Sequence, residues 1–116
     1  SDGIKAHPQA ALLQHSQGLA LIRAGQPGQA MKALQQAVKL EPDNGQYRYV
    51  LAVALHQSGQ LDQACAQMEE LLKRQPAFRD ARLALIQFYL DSGQEPKAQV
   101  VLQAWKQINP EDMALK

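Results

Sequence analysis

A single cysteine, Cys65, leaves no disulfide possible within the chain. No apolar run approaches the roughly 18 residues that a membrane-crossing helix requires. Residues 1–9 (SDGIKAHPQ) hold no apolar stretch of the kind found in a secretory leader. Excess charge is also missing: 12 Lys and Arg stand against 11 Asp and Glu, for a formal charge of +1. That balance supplies no field to attract nucleic acid or an anionic membrane, and neither is expected as a partner. His7, His15 and His56 have no cysteine or second histidine three or four residues away, so no helix face is ready for zinc. There is no CxxCH for covalent haem and no phosphate-cradling glycine loop. Ser16, Ser58 and Ser92 lack a base and an orienting group. Neither catalysis nor a cofactor is expected.

What is present is a repeat. Pro42, Pro76 and Pro110 stand 34 residues apart. Gly25, Gly59 and Gly93 keep the same interval, as do Gln26, Gln60 and Gln94, and Ala30, Ala64 and Ala98. Four residue types in fixed phase across three copies set the architecture before any single residue is weighed. The phase divides the chain into an extension (1–10), three units (11–44, 45–78 and 79–112) and a remainder (113–116). Residues 111–116 follow the last proline as the start of a further, truncated helix.

Within each unit the apolar spacing is helical. Tyr47, Val50, Leu51, Ala54 and Leu55 form one face. Leu61, Ala64, Met68, Leu71 and Leu72 form another, with Glu69–Lys73 and Glu70–Arg74 expected as ion pairs on the wet side. Glycine ends the first helix of each unit and proline stops the second. Pro27 and Pro96 fall in first turns, where a missing N–H costs nothing. Asp43 or Asn44 is placed to cap the helix after Pro42. Helices are predicted at about 9–24, 28–40, 45–58, 61–74, 79–92 and 95–108. Cys65 reads as a small buried hydrophobe.

Over residues 11–112 the pattern resembles the tetratricopeptide repeat family. The eighth position holds small Gly18 and Ala52, the eleventh Leu21, Leu55 and Tyr89, the twentieth the three alanines, the twenty-fourth Leu34, Met68 and Leu102, and the thirty-second the prolines. The resemblance implies an all-α solenoid of three helix-turn-helix hairpins in a right-handed superhelical stack. The departures are Gln14, Arg48 and Arg82 at the fourth position, Ile86 at the eighth and Trp105 at the twenty-seventh. The last two imply a wider crossing in the third hairpin, and Trp105 is expected to face a partner, a neighbouring subunit or a missing fourth unit.

In that family the first helices line a concave groove. Its ligand-facing positions fall here on Leu12, His15, Leu19, Ile22 and Arg23, then Gln46, Tyr49, Val53, His56 and Gln57, then Asp80, Leu83, Gln87, Leu90 and Asp91. The Lys and Asn clamp for chaperone C-termini is absent, since those positions read His15/Leu19, Tyr49/Val53 and Leu83/Gln87. An apolar floor with a few polar handles suits a peptide or protein segment with apolar anchors. Tyr49 and His56 are the strongest single candidates for contact. The alternative is structural: packing within a parent protein, or a homodimer through Val101, Leu102 and Trp105. A shorter resemblance covers about one hairpin. Pro42-Asp43-Asn44, Tyr47-Arg48-Tyr49-Val50 and Ala52-Val53-Ala54-Leu55-His56 are similar to the tetratricopeptide tails of some bacterial multihaem c-type cytochromes. It implies a periplasmic parent with haem motifs upstream.

Overall fold

The computed structural model describes residues 8–108. Six helices follow one another: α1 (Pro8–Arg23), α2 (Pro27–Leu40), α3 (Gly45–Gln57), α4 (Leu61–Arg74), α5 (Arg79–Asp91) and α6 (Glu95–Ile108). Each packs on its neighbour in the chain, so α1–α2, α3–α4 and α5–α6 form three stacked hairpins. The first hairpin is the most densely joined and the third the most sparsely. Among the described residues there is no strand, and no helix is long and apolar enough to cross a membrane. Pro110 and residues 111–116 lie outside the described residues, as do most of the extension and His7.

The glycine turns explain the repeat chemically. Gly25, Gly59 and Gly93 take φ of 77°, 82° and 75°, a left-handed conformation that side chains with a Cβ resist. Each turn closes the same way. Gly59 N donates to His56 O at 3.0 Å, and Gln60 N reaches back to Leu55 O at 2.9 Å. The last carbonyls of the first helix are thereby satisfied. The glutamine then serves as the cap residue of the next helix, its carbonyl accepting from the alanine that recurs with the repeat: Ala30 N to Gln26 O at 3.0 Å, Ala64 N to Gln60 O at 3.0 Å, Ala98 N to Gln94 O at 3.2 Å.

Proline turns join one hairpin to the next. Asn44 N donates to Glu41 O and Phe78 N to Gln75 O, both at 3.0 Å. Of the two candidate caps it is Asn44 that acts, accepting from Tyr47 N at 3.2 Å. Asp43 instead pairs with Arg74 at 2.7 Å, while its carbonyl accepts from Gln75 Nε2 at 2.8 Å. The residue types at the fourth position have a structural use. Arg48 donates to Pro42 O at 3.2 Å and to Gln67 Oε1 at 2.9 Å. Arg82 donates in the same way to Pro76 O. Each arginine ties its helix to the proline turn before it. Pro8 shares the phase of the other prolines, yet here it opens α1 rather than preceding it.

The core is a row of small and branched residues at the helix crossings. Ala30, Ala64, Leu34, Leu55, Met68 and Leu71 are fully buried. A Cβ on Gly18 would stand 2.5 Å from Leu34 Cδ2, so α1 and α2 meet only because this side chain is absent. Cys65 is buried, and burial pushes its thiol pKa up, which removes it as a nucleophile. Glu70 pairs with Arg74 at 2.8 Å as expected. Glu69 does not pair with Lys73: it accepts the Tyr89 hydroxyl across the α4–α5 boundary, and Lys73 lies 3.9 Å from Glu70 instead.

Trp105 corrects the reading of the outer surface. It is only 2% exposed, covered within the third hairpin rather than turned to a partner. The Arg79 and Arg82 guanidinium groups lie 5.7 and 5.9 Å from its ring centroid. Its phase partners Ala37 and Leu71 are buried too, so the twenty-seventh position is a core position in all three units. Val101 and Leu102 are half-buried, and Val101 packs against the core.

Candidate functional site

The first helices of the hairpins, α1, α3 and α5, lie side by side through aromatic contacts. His15 of α1 stacks on Tyr47 of α3 at 4.5 Å between ring centroids. His56 of α3 stacks on Phe88 of α5 at 4.4 Å and 7° between planes. Tyr49 stacks more loosely, 6.1 Å, on Phe78 in the turn before α5. Phe78 also lies over Gly45, where a Cβ would meet it at 2.7 Å. The expected contact residues therefore divide. Leu12, Arg23, Gln46, Gln57, Asp80, Gln87, Leu90 and Asp91 are exposed, Leu12 by 55% and Leu90 by 45%. Leu19, Ile22, Tyr49, Val53, His56 and Leu83 are half-exposed.

His15 departs from expectation. It is 8% exposed, and among the described residues no group bonds its Nδ1. Stacking on Tyr47 seals it between the first two hairpins, out of reach of a ligand. Burial lowers its pKa below the ordinary histidine value, so it is neutral near pH 7.

His56, Gln87 and Asp91 are brought together across the α3–α5 boundary. Gln87 Nε2 donates to Asp91 Oδ1 at 2.9 Å. His56 Nε2 lies 2.7 Å from Asp91 Oδ2. Gln87 and then His56 hold the Asp91 carboxyl below its usual range, so it is an anion that only accepts, and His56 must donate through Nε2. Sequence reasoning placed these three on one surface but missed the cluster. It also missed Phe78, which looks like a boundary residue after Pro76. Among the described residues no three histidine, cysteine or acidic side chains gather as a metal site.

A tetratricopeptide repeat family model matches residues 21–77 and again residues 59–116. The chain belongs to the tetratricopeptide repeat family. It is thus a helical-repeat module of the kind that mediates protein–protein interaction. Among solved structures, YrrB, a TPR protein with an unusual peptide-binding site, is similar at 27% identity and a TM-score of 0.77. The match covers 89% of this chain and 53% of YrrB. MamA 41-end from Desulfovibrio magneticus RS-1 matches at 24% identity and a TM-score of 0.77, over 87% of this chain and 57% of that one. The second TPR domain of Spaghetti (RPAP3), bound to the HSP90 peptide SRMEEVD, matches at 13% identity and a TM-score of 0.74, over 82% and 88%. This chain thus spans little more than half of YrrB and of the MamA fragment. No curated protein sequence matches.

Proposed function

We propose that the surface shared by α1, α3 and α5 binds a peptide or protein segment carrying apolar anchors. What supports this reading is that Leu19 on α1, Tyr49 and Val53 on α3 and Leu83 on α5 are half-exposed, while Gln46, Gln57 and Gln87 on α3 and α5 are exposed. Partial exposure leaves apolar area for a partner to cover, at about 25 cal/mol per Å². The glutamines offer donors and acceptors to a peptide backbone without imposing charge. Tyr49 rests against Phe78, a loose contact that restricts part of its rotamer freedom before any complex forms. The peptide-binding site of YrrB gives this reading a precedent at the level of the family.

The test is capture from a lysate by the wild-type chain, Tyr49→Ala and Val53→Asp, compared by quantitative mass spectrometry. Both variants are expected to lose the partners that the wild type retains. Identical partner sets for all three would overturn the reading. A second reading, self-association through α6, draws on Val100, which is 68% exposed beside half-buried Val101 and Leu102. Sedimentation across a concentration series separates the two: a concentration-independent monomer removes the second.

A further inference from the structure

The thirteenth position of the repeat carries Arg23 on α1, Gln57 on α3 and Asp91 on α5. The proposed binding surface therefore runs from basic at the first hairpin, through neutral, to acidic at the third. The second position strengthens the acidic end, reading Leu12, Gln46 and Asp80. Asp80 and Asp91 are eleven residues apart on α5. That interval is about three helical turns, so both carboxylates lie on one face, about 16 Å apart along the axis. Arg23, Asp80 and Asp91 are all exposed.

Helix stability accounts for Arg23, in the last turn of α1, and for Asp80, in the first turn of α5. It does not account for Asp91. A carboxylate in the last turn of α5 faces the negative end of the helix dipole, and no basic residue shares that turn. Gln87 of α5 and His56 of α3 each bond one of its oxygens. A carboxylate has about four lone-pair sites, so acceptor capacity is left over. Exposed Leu90 is its neighbour in the chain, and half-exposed Tyr49 and Val53 sit on α3, the helix in contact with both α1 and α5.

We propose that the occupant of this surface is a polypeptide segment with a basic side chain seated over Asp91 and an acidic group facing Arg23, its apolar residues lying over Tyr49 and Val53 of α3. The proposal rests on the binding reading above and adds to it a charge pattern and a direction. Opposite charges at the two ends make one orientation of the segment attractive and the reverse repulsive. The size of the effect follows from exposure: each solvent-facing pair is worth about a two- to five-fold change in affinity.

A display library of random short peptides, panned against the whole chain, tests this. Selected peptides are then titrated by fluorescence anisotropy against the wild type, Asp80→Asn, Asp91→Asn, Arg23→Gln and Tyr49→Ala, with helicity checked by circular dichroism. Asp91→Asn keeps an oxygen able to accept from His56, and Asp80→Asn gives an independent second removal of charge. The selected peptides are expected to carry Lys or Arg at one end and Asp or Glu at the other. Asp91→Asn should weaken binding about two- to five-fold and relax the preference at the basic end only, while Asp80→Asn, about 16 Å away along α5, should change it less. High salt should erase these differences. Peptides without end-to-end charge preference, or a preference untouched by Asp91→Asn, overturn the proposal while leaving the binding reading standing, provided Tyr49→Ala still weakens them. If no peptide is enriched, or if Tyr49→Ala leaves their affinity unchanged, the binding reading falls and the charge pattern falls with it.

Discussion

Where two helices of a hairpin cross, one methyl group is the space available. Ala64 is fully buried at the crossing of α3 and α4. Ala64→Leu is expected to cost about 1–3 kcal/mol by overpacking, read as a lower urea midpoint; an unchanged midpoint would place the crossing elsewhere. Gly59 carries a different constraint. A Cβ there meets nothing within 4 Å, so only its φ of +82° opposes a side chain. Gly59→Ala should lose about 1–2 kcal/mol through backbone strain alone. His15 makes stability depend on pH. Its folded pKa is lowered by burial below the unfolded 6.5. As pH falls, the unfolded chain takes up this proton first, so stability is full above about 6.5 and declines below it until the folded pKa is reached. Urea midpoints measured on either side of pH 6.5 should show this decline, and His15→Phe, which keeps a ring against Tyr47, should flatten it.

Individual helices end because the backbone makes them end, but they are joined by side chains. The glycine turns satisfy their carbonyls with main-chain bonds, to which the third adds Ser92 Oγ on Tyr89 O. The proline turns are not self-sufficient. Arg48 fastens one from α3 and Arg82 the next from α5. Arg48→Met retains the buried stem but removes bonds to Pro42 O and Gln67. It is expected to destabilise by about 1–3 kcal/mol in thermal or urea unfolding. Trp105 does for α6 what smaller residues do for α2 and α4. Its burial against α5 predicts a loss of about 3–5 kcal/mol for Trp105→Ala.

Among the described residues every well-packed pair of helices lies within one hairpin or between adjacent hairpins, so stability is a chain of local terms rather than one shared core. Among the described residues the middle hairpin has a hairpin on each side and the outer two have one. Amide exchange should be slowest in α3 and α4 for that reason. Trp105 is the only tryptophan, and it reports the third hairpin, where the helices are joined most sparsely. Its fluorescence should change at lower urea than the helical signal; coincident transitions would show the three hairpins unfolding as one.

The sequence alone determined the elements and their order. All six helices begin and end within one residue of the positions predicted from apolar spacing, the glycines and the prolines. Such signals act over a few residues of backbone, so they survive without knowledge of the fold. Membership of the family was equally legible, because four residue types recur in phase. Exposure was not. His15 sits at a ligand-facing position yet is sealed by Tyr47, and Trp105 looked like a partner contact yet is covered within its own hairpin. The phase of Trp105 with Ala37 and Leu71 held the warning. The His56–Gln87–Asp91 cluster likewise exists only because α3 and α5 come side by side. Which side chains are covered depends on the size and shape of residues some thirty positions away, on the next hairpin, and only tertiary packing brings those residues together.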